Sequence, residues 1–189
     1  MFLIFGKDAI SMKKKLTRLF NFFYYHLLLH FILMICELLP NIKQSNKIRG
    51  FLVKPFFKKY GRNFQLARGV TINMIRNIEI GDNVYIAHNV WINGAGGLKI
   101  ESDVIISPMT VITTTKHSYI DGKISNTEYE LDSVIIGEGT WIASNSVVTK
   151  GVRIGKGCII GSCSSVTKDI PDYTFAGGVP AKPIKKLRQ

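Results

Sequence analysis

The chain has 189 residues, 46% of them apolar and 20% charged, with 25 Lys and Arg against 13 Asp and Glu and a net charge of +12. That composition suits one globular domain with appendages and excludes a disordered chain. The cations are uneven: residues 1–62 hold twelve basic and two acidic side chains, residues 63–181 nine and eleven, and residues 182–189 four and none, so a nearly neutral body carries two basic ends and a nucleic-acid partner is not expected.

In chain order, residues 1–62 read as a basic, apolar helical arm. Its most apolar stretch, residues 19–39, follows Lys13, Lys14, Lys15 and Arg18 and precedes Lys43, Lys47, Arg49, Lys54, Lys58 and Lys59. Asn21, His26, His30 and Glu37 interrupt the run, which falls short of the roughly 20 apolar residues of a spanning helix. The expectation is a helix that packs on the domain or lies in a membrane interface, with its lysines near lipid head groups. No small-residue cleavage site follows, which argues against a secretory signal peptide, and Met12 ahead of KKKLTRLF reads as a natural start. Cys36, Cys158 and Cys163 are an odd number without CxxC spacing, so neither a disulfide framework nor a cysteine metal site is indicated and a reducing cytoplasm is expected.

From residue 66 onward the sequence repeats with a period of six. Ile80, Ile86 and Ile92, then Ile100, Ile106 and Ile112, then Ile136, Ile142, Val148, Ile154, Ile160 and Val166 form the series, often with a small residue just after, as at Gly81, Ala87, Ser107, Gly137, Ala143, Gly155 and Gly161. A helical period of 3.6 does not produce this, whereas short strands joined at tight corners do. Three sides make a coil of eighteen residues, a triangular prism filled by one aliphatic per side, its coils stacked at about 4.8 Å. The breaks keep register: Ile72 to Ile80 and Ile92 to Ile100 are eight apart and Ile112 to Ile136 twenty-four, so all three insertions leave one corner. Two are two-residue bulges and the third is a long loop, 117–133.

With its segment VIIGEGTWIASNSVVTKGVRIGKGCIIGSCSSVTKDIPDYTFAGGVPAKPIKKL, the chain resembles the hexapeptide-repeat acyltransferases, in the branch of maltose, galactoside and capsule or lipopolysaccharide O-acetyltransferases. The likeness covers about residues 63–187. It implies an all-β fold, a left-handed parallel β-helix over 63–181 with the N-terminal helical arm before it and a short basic tail, 182–189, after it. It also implies a homotrimer, because the groove for acetyl-CoA needs two subunits.

His88 and His117 are the two histidines of the repeat region, and a neutral imidazole is suited to taking a proton from a hydroxyl. His117, in TTTKHSYIDG at the root of the loop, matches the family's catalytic histidine, which implies a general base. Relatives commonly carry Pro after it and an Arg later in the loop; this chain has Ser118 and Lys123, so acceptor contacts differ. Of Asp121, Glu128 and Glu130, one could orient the imidazole or bind an acceptor; otherwise they stand solvated. Where relatives on simple sugars carry an acceptor-binding Asn, this chain has Ala87, leaving Tyr85, His88, Asn89 and Asn93 as substitutes. By resemblance, Ser144 and Ser162, one coil apart, offer backbone amides to the pantetheine arm beside Trp141, and Thr167, Lys168, Lys182 and Lys185 meet the adenine nucleotide and its phosphates. No metal is expected, since the γ-class carbonic anhydrases of this fold need a third histidine. The expected activity is acetyl transfer from acetyl-CoA to a hydroxyl of a sugar or glycan precursor, in the cytoplasm or peripherally on the membrane. The rivals are an N-acetyltransferase on a nucleotide-linked amino sugar, a xenobiotic acetyltransferase and a non-catalytic glycan-binding scaffold.

Overall fold

The structure, a computed structural model, describes the backbone of residues 2–187 and the side chains of residues 12–187. The stretch ahead of the expected start at Met12, as side chains, and the last two residues of the basic tail, Arg188 and Gln189, therefore lie outside the described residues. The chain divides into two units at Leu39/Pro40.

The first unit is helical: α1 (Phe2–Phe22), a π-helical turn (Phe23–Leu28) and α2 (Leu29–Leu38). No Gly or Pro falls between Met12 and Leu39, so nothing breaks the helix until Leu39, which turns extended (φ −72°, ψ 141°) ahead of Pro40. Met12–Leu38 is long and apolar enough, by length and composition, to cross a membrane, more than the interrupted run suggests. Within the π-helical turn the His26 ring stacks on Phe22 at 5.4 Å.

The second unit opens with α3 (Lys43–Val53). Its Arg49, expected among the surface cations, is buried instead: its guanidinium donates to Asn46 Oδ1 (3.0 Å) and to the Pro40 carbonyl (3.1 Å). A buried guanidinium is tolerable only with such partners.

The rest is the prism. Face A stacks β1 (Lys59–Tyr60), β4 (Ile78–Ile80), β7 (Leu98–Ile100), β12 (Val134–Ile136) and β15 (Arg153–Ile154). Face B stacks β2 (Gln65–Leu66), β5 (Tyr85–Ile86), β8 (Ile105–Ile106), β13 (Trp141–Ile142), β16 (Ile159–Ile160) and β18 (Thr174–Gly178), with β19 (Ala181–Lys186) antiparallel on the last. Face C stacks β3 (Thr71–Asn73), β6 (Trp91–Asn93), β9 (Val111–Thr113), β14 (Val147–Val148) and β17 (Ser165–Val166). Ladders within the faces are parallel, each aliphatic registered on the next coil, as Ile106 on Ile142 and Ile142 on Ile160.

All twelve aliphatics of the series are at most 4% exposed, each burial worth roughly 1.5–3 kcal/mol. Corner hydroxyls inside the prism are satisfied: Thr140 Oγ1 donates to the Gly155 carbonyl (2.8 Å) and Ser146 Oγ to that of Gly161 (3.0 Å). The small residue after face A is dictated by stacking, since a Cβ on Gly137 would lie 2.5 Å from the Gly155 carbonyl carbon. Corners turn through left-handed residues, Asn89 (φ 57°), Asn145 (59°) and Cys163 (57°) between faces B and C. The three insertions leave the corner between faces C and A, as the spacing predicts. The third is not an irregular loop but an antiparallel ribbon, β10 (Thr115–Ile120) and β11 (Lys123–Leu131).

Candidate active site

The ribbon is tied to the prism at its root. Asn93, ending β6, pairs in register with Thr113, and its carbonyl accepts both the amide (3.1 Å) and the hydroxyl (2.8 Å) of Thr114. Its side chain accepts from the Ala95 amide (3.0 Å) and donates to Thr115 Oγ1 (3.4 Å). On the returning strand Glu130 lies between Lys116 (3.6 Å) and Lys150 (2.8 Å), the latter from the corner of the next coil. The Lys150 ammonium hydrogen bond, with Lys116 adding to it, holds the Glu130 carboxyl below its ordinary range.

His117 stands on this ribbon two residues beyond Thr115, exposed, opposite Tyr129 and next to an irregularity in the pairing. Its Nδ1 lies 2.9 Å from the Ser125 carbonyl oxygen. A carbonyl can only accept, so Nδ1 carries the proton and neutral His117 presents Nε2 as a lone pair. The Ser125 turn is itself fixed, its Oγ accepting from the amides of Thr127 (3.2 Å) and Glu128 (2.9 Å). An imidazole oriented in this way can take a proton from a hydroxyl brought to Nε2.

The other expected residues fall at two corners of the prism, on face B and on β19. Thr167 and Lys168 follow β17 at the same corner as the ribbon, eighteen residues beyond Thr149 and Lys150; Thr149 donates to the Val166 carbonyl (3.0 Å). His88, Asn89, Ser144 and Ser162 occupy the corner between faces B and C. Cys163 donates its amide to the Ser144 carbonyl (3.0 Å), so Ser162 sits one coil above Ser144. The Ser144 and Ser162 amides take no backbone partner among the described residues, which leaves two donors one coil spacing apart, a fit to the paired amides of a pantetheine chain. His88 donates Nε2–H to Asn41 Oδ1, an anchor for the segment ahead of α3. Tyr85 and Trp141 lie on the outer surface of face B, in register with Ile105 between them. Burial pushes the Tyr85 phenol up, so it is a neutral donor, and the Trp141 indole donates to Ser107 Oγ at 2.8 Å. Lys182 and Lys185 are exposed on β19, opposite Gly177 and Phe175.

One protomer thus carries His117, Asn93, Thr167 and Lys168 along the corner between faces C and A, and Ser144 and Ser162 at the corner between faces B and C, with face C between the two. The parts played by Ser125 and Thr115 carry no signal in the sequence, nor does the pairing of Glu130, which is held by Lys116 and Lys150 and leaves the imidazole to the Ser125 carbonyl. No spacing rule points to them, because each depends on the pairing of the ribbon.

Comparison with known proteins places this hexapeptide prism among acyltransferases. The bacterial transferase hexapeptide (six repeats) family matches residues 133–168. The chain is 34% identical over 139 residues to galactoside O-acetyltransferase of Escherichia coli, an alignment covering 74% of this chain and 68% of that protein. It is 30% identical over 138 residues to galactoside O-acetyltransferase of Lactococcus lactis, covering 72% and 66%. Among solved structures, galactoside acetyltransferase in complex with coenzyme A superposes with a TM-score of 0.77 at 29% identity, covering 89% of this chain and 83% of that one. The maltose O-acetyltransferase of Clostridium difficile gives 0.74 at 25%, covering 85% of both. The chain belongs to the hexapeptide-repeat acetyltransferases and is an acyltransferase with their left-handed parallel β-helix.

Proposed function

We propose that this acetyltransferase moves the acetyl group of acetyl-CoA to a hydroxyl of a sugar or glycan precursor, with His117 as general base. The observation that carries the reading is the Nδ1–H bond of His117 to the Ser125 carbonyl, which leaves Nε2 as the acceptor of a proton. The likeness to the two galactoside O-acetyltransferases supports a hydroxyl acceptor on a sugar, and the likeness to an acetyltransferase holding coenzyme A supports the donor. WcaF of Escherichia coli, provisionally named a colanic acid biosynthesis acetyltransferase and 28% identical over 138 residues, favours a polysaccharide precursor.

In the reaction His117 Nε2 takes the proton of the acceptor hydroxyl as its oxygen bonds to the thioester carbonyl carbon. The C–S bond then breaks, and His117 returns the proton to the departing sulfur. The products are the acetyl ester and the free thiol. Ser144 and Ser162 would hold the pantetheine chain through their amides, Trp141 would flank it, and Thr167, Lys168, Lys182 and Lys185 would meet the nucleotide and its phosphates. Tyr85, His88, Asn89 and Asn93 are the side chains we assign to the acceptor.

The two corners are brought together in a homotrimer, where a groove between protomers faces His117 of one toward the Ser144–Ser162 column of the next. An apolar ladder along face B, in which Tyr85, Ile105, Trp141, Ile159 and Phe175 follow one another in register, supports such packing. Most of the acceleration then comes from positioning, for which effective molarities reach about 10⁵ M or more.

The test is thiol release from acetyl-CoA over a panel of hexosides, nucleotide sugars, amino sugars and oligosaccharides. Release that depends on a hydroxyl acceptor and falls at least about a hundredfold in His117→Ala, with coenzyme A binding retained, is the expected result. Acetylation of amines alone, or near-normal turnover in the variant, overturns the assignment.

A further inference from the structure

The helical arm carries a surface that the proposed reaction does not use. Along it Leu16, Phe20, Phe23, Leu27, Phe31 and Met34 recur at intervals of four, three, four, four and three residues, and each is 51–68% exposed. At about 1.5 Å per residue this apolar stripe runs roughly 27 Å along one side of the helix. Lys14, Arg18 and Asn21 fall on the opposite side, and Lys13, Lys14, Lys15 and Arg18, all exposed, gather at its N-terminal end.

We propose that this stripe docks in the plane of an anionic phospholipid bilayer, with the apolar side chains at the boundary of head groups and acyl chains and the lysines on the phosphates. Three observations favour the bilayer over a second copy of the arm. The stripe is rich in phenylalanine, which suits a lipid interface more than the interlocking aliphatic seam of a coiled coil. Copies pairing in parallel along the stripe would bring their lysine triplets together, and like charges repel. Basic residues flank both ends, with Lys43 and Lys47 beyond Pro40, so neither flank is the less cationic one that a spanning helix would send across. Lying in the plane keeps both on the anionic side.

The experiment is co-sedimentation of the full chain with vesicles of phosphatidylglycerol and phosphatidylcholine, and with phosphatidylcholine alone. Binding to the anionic vesicles that weakens as salt rises from 50 to about 500 mM is expected. Removing three lysines as K13Q/K14Q/K15Q should weaken it on the order of a hundredfold, about tenfold for every 1.4 kcal/mol at roughly 1 kcal/mol per lysine. Lys156→Gln, a charge removed from the prism, should leave binding unchanged. Phe23→Trp should be quenched by shallowly brominated acyl chains and not by deeply brominated ones, and an unchanged melting temperature shows that the variants fold. No binding to anionic vesicles, equal binding to neutral ones, deep quenching of the tryptophan, or arm-dependent self-association without vesicles each overturns the proposal.

Discussion

Ile142 gives the sharpest test of the stacked core. It is fully buried on β13, registered on Ile106 below and Ile160 above, themselves fully buried. Ile142→Ala removes three carbons, and at about 0.8 kcal/mol each the lost transfer energy is about 2.4 kcal/mol. The site cannot collapse, because the coils on either side are held by backbone bonds from Ser107 to the Ile142 carbonyl (2.9 Å) and from Ala143 to the Ile160 carbonyl (2.9 Å). A residual cavity of about 70 Å³ at about 24 cal/mol per Å³ adds about 1.7 kcal/mol. The expected loss is therefore about 4 kcal/mol, read by denaturant unfolding at one fixed protomer concentration, since oligomerisation makes stability concentration-dependent. Ile124→Ala on the ribbon, where the side chain is 65% exposed, should change stability by no more than about 0.5 kcal/mol. A loss below about 1.5 kcal/mol at Ile142, or equal losses at both positions, would refute the picture of a rigid aliphatic stack.

Three further outcomes follow from the same geometry. Gly137→Ala places a Cβ 2.5 Å from the carbonyl carbon of Gly155 and the amide nitrogen of Lys156; backbone cannot yield as a side chain does, so a loss of about 2 kcal/mol or more is expected in thermal melts. The pairing of Glu130 with Lys150 lowers the carboxyl's pKa in the folded state, so its contribution is present above the ordinary carboxylate range and lost as pH falls through the folded value. Amide exchange on the ribbon should therefore quicken on acidification from pH 7 to below about 4, beyond the intrinsic pH effect on exchange, whereas Glu130→Gln should show the same low protection at both pH values. Lys168→Ala should raise the KM for acetyl-CoA severalfold while leaving that for dephospho-acetyl-CoA nearly unchanged, in initial-rate kinetics; equal effects on both donors would remove the phosphate contact.

What could be read from the sequence is what the prism repeats. One aliphatic every six residues is a demand made by the interior of each side, and the same demand makes Gly81, Gly137 and Gly155 small where backbone stacks on backbone. The register across the insertions could be read too, since the buried aliphatics on either side must still align. The ribbon could not: along β11 every residue except Ser125 is exposed, neither face is buried, and without a buried face no apolar alternation fixes the pairing. The bond from His117 to the Ser125 carbonyl spans eight residues of that unpatterned stretch, so the residue was legible and its tautomer was not. Arg49 escaped for the opposite reason, because a cation buried by Asn46 and the Pro40 carbonyl looks in sequence like any other basic residue.

This division has a physical root that also places the chemistry. A solenoid whose coils stack through fixed ladders tolerates no change inside, where each side chain fills its own layer. Insertions can leave only at corners, and here all three leave the one between faces C and A. The ribbon there has an exposed surface but a fixed base, through Asn93, the Thr113–Thr115 hydroxyls and the clamp of Glu130 between two lysines. His117 is consequently carried by a segment free to differ in sequence while it is anchored to a scaffold that is not. If the proposed reaction holds, a change of acceptor would be written in the ribbon and the neighbouring corner residues, and the prism assigned to the donor would stay as it is.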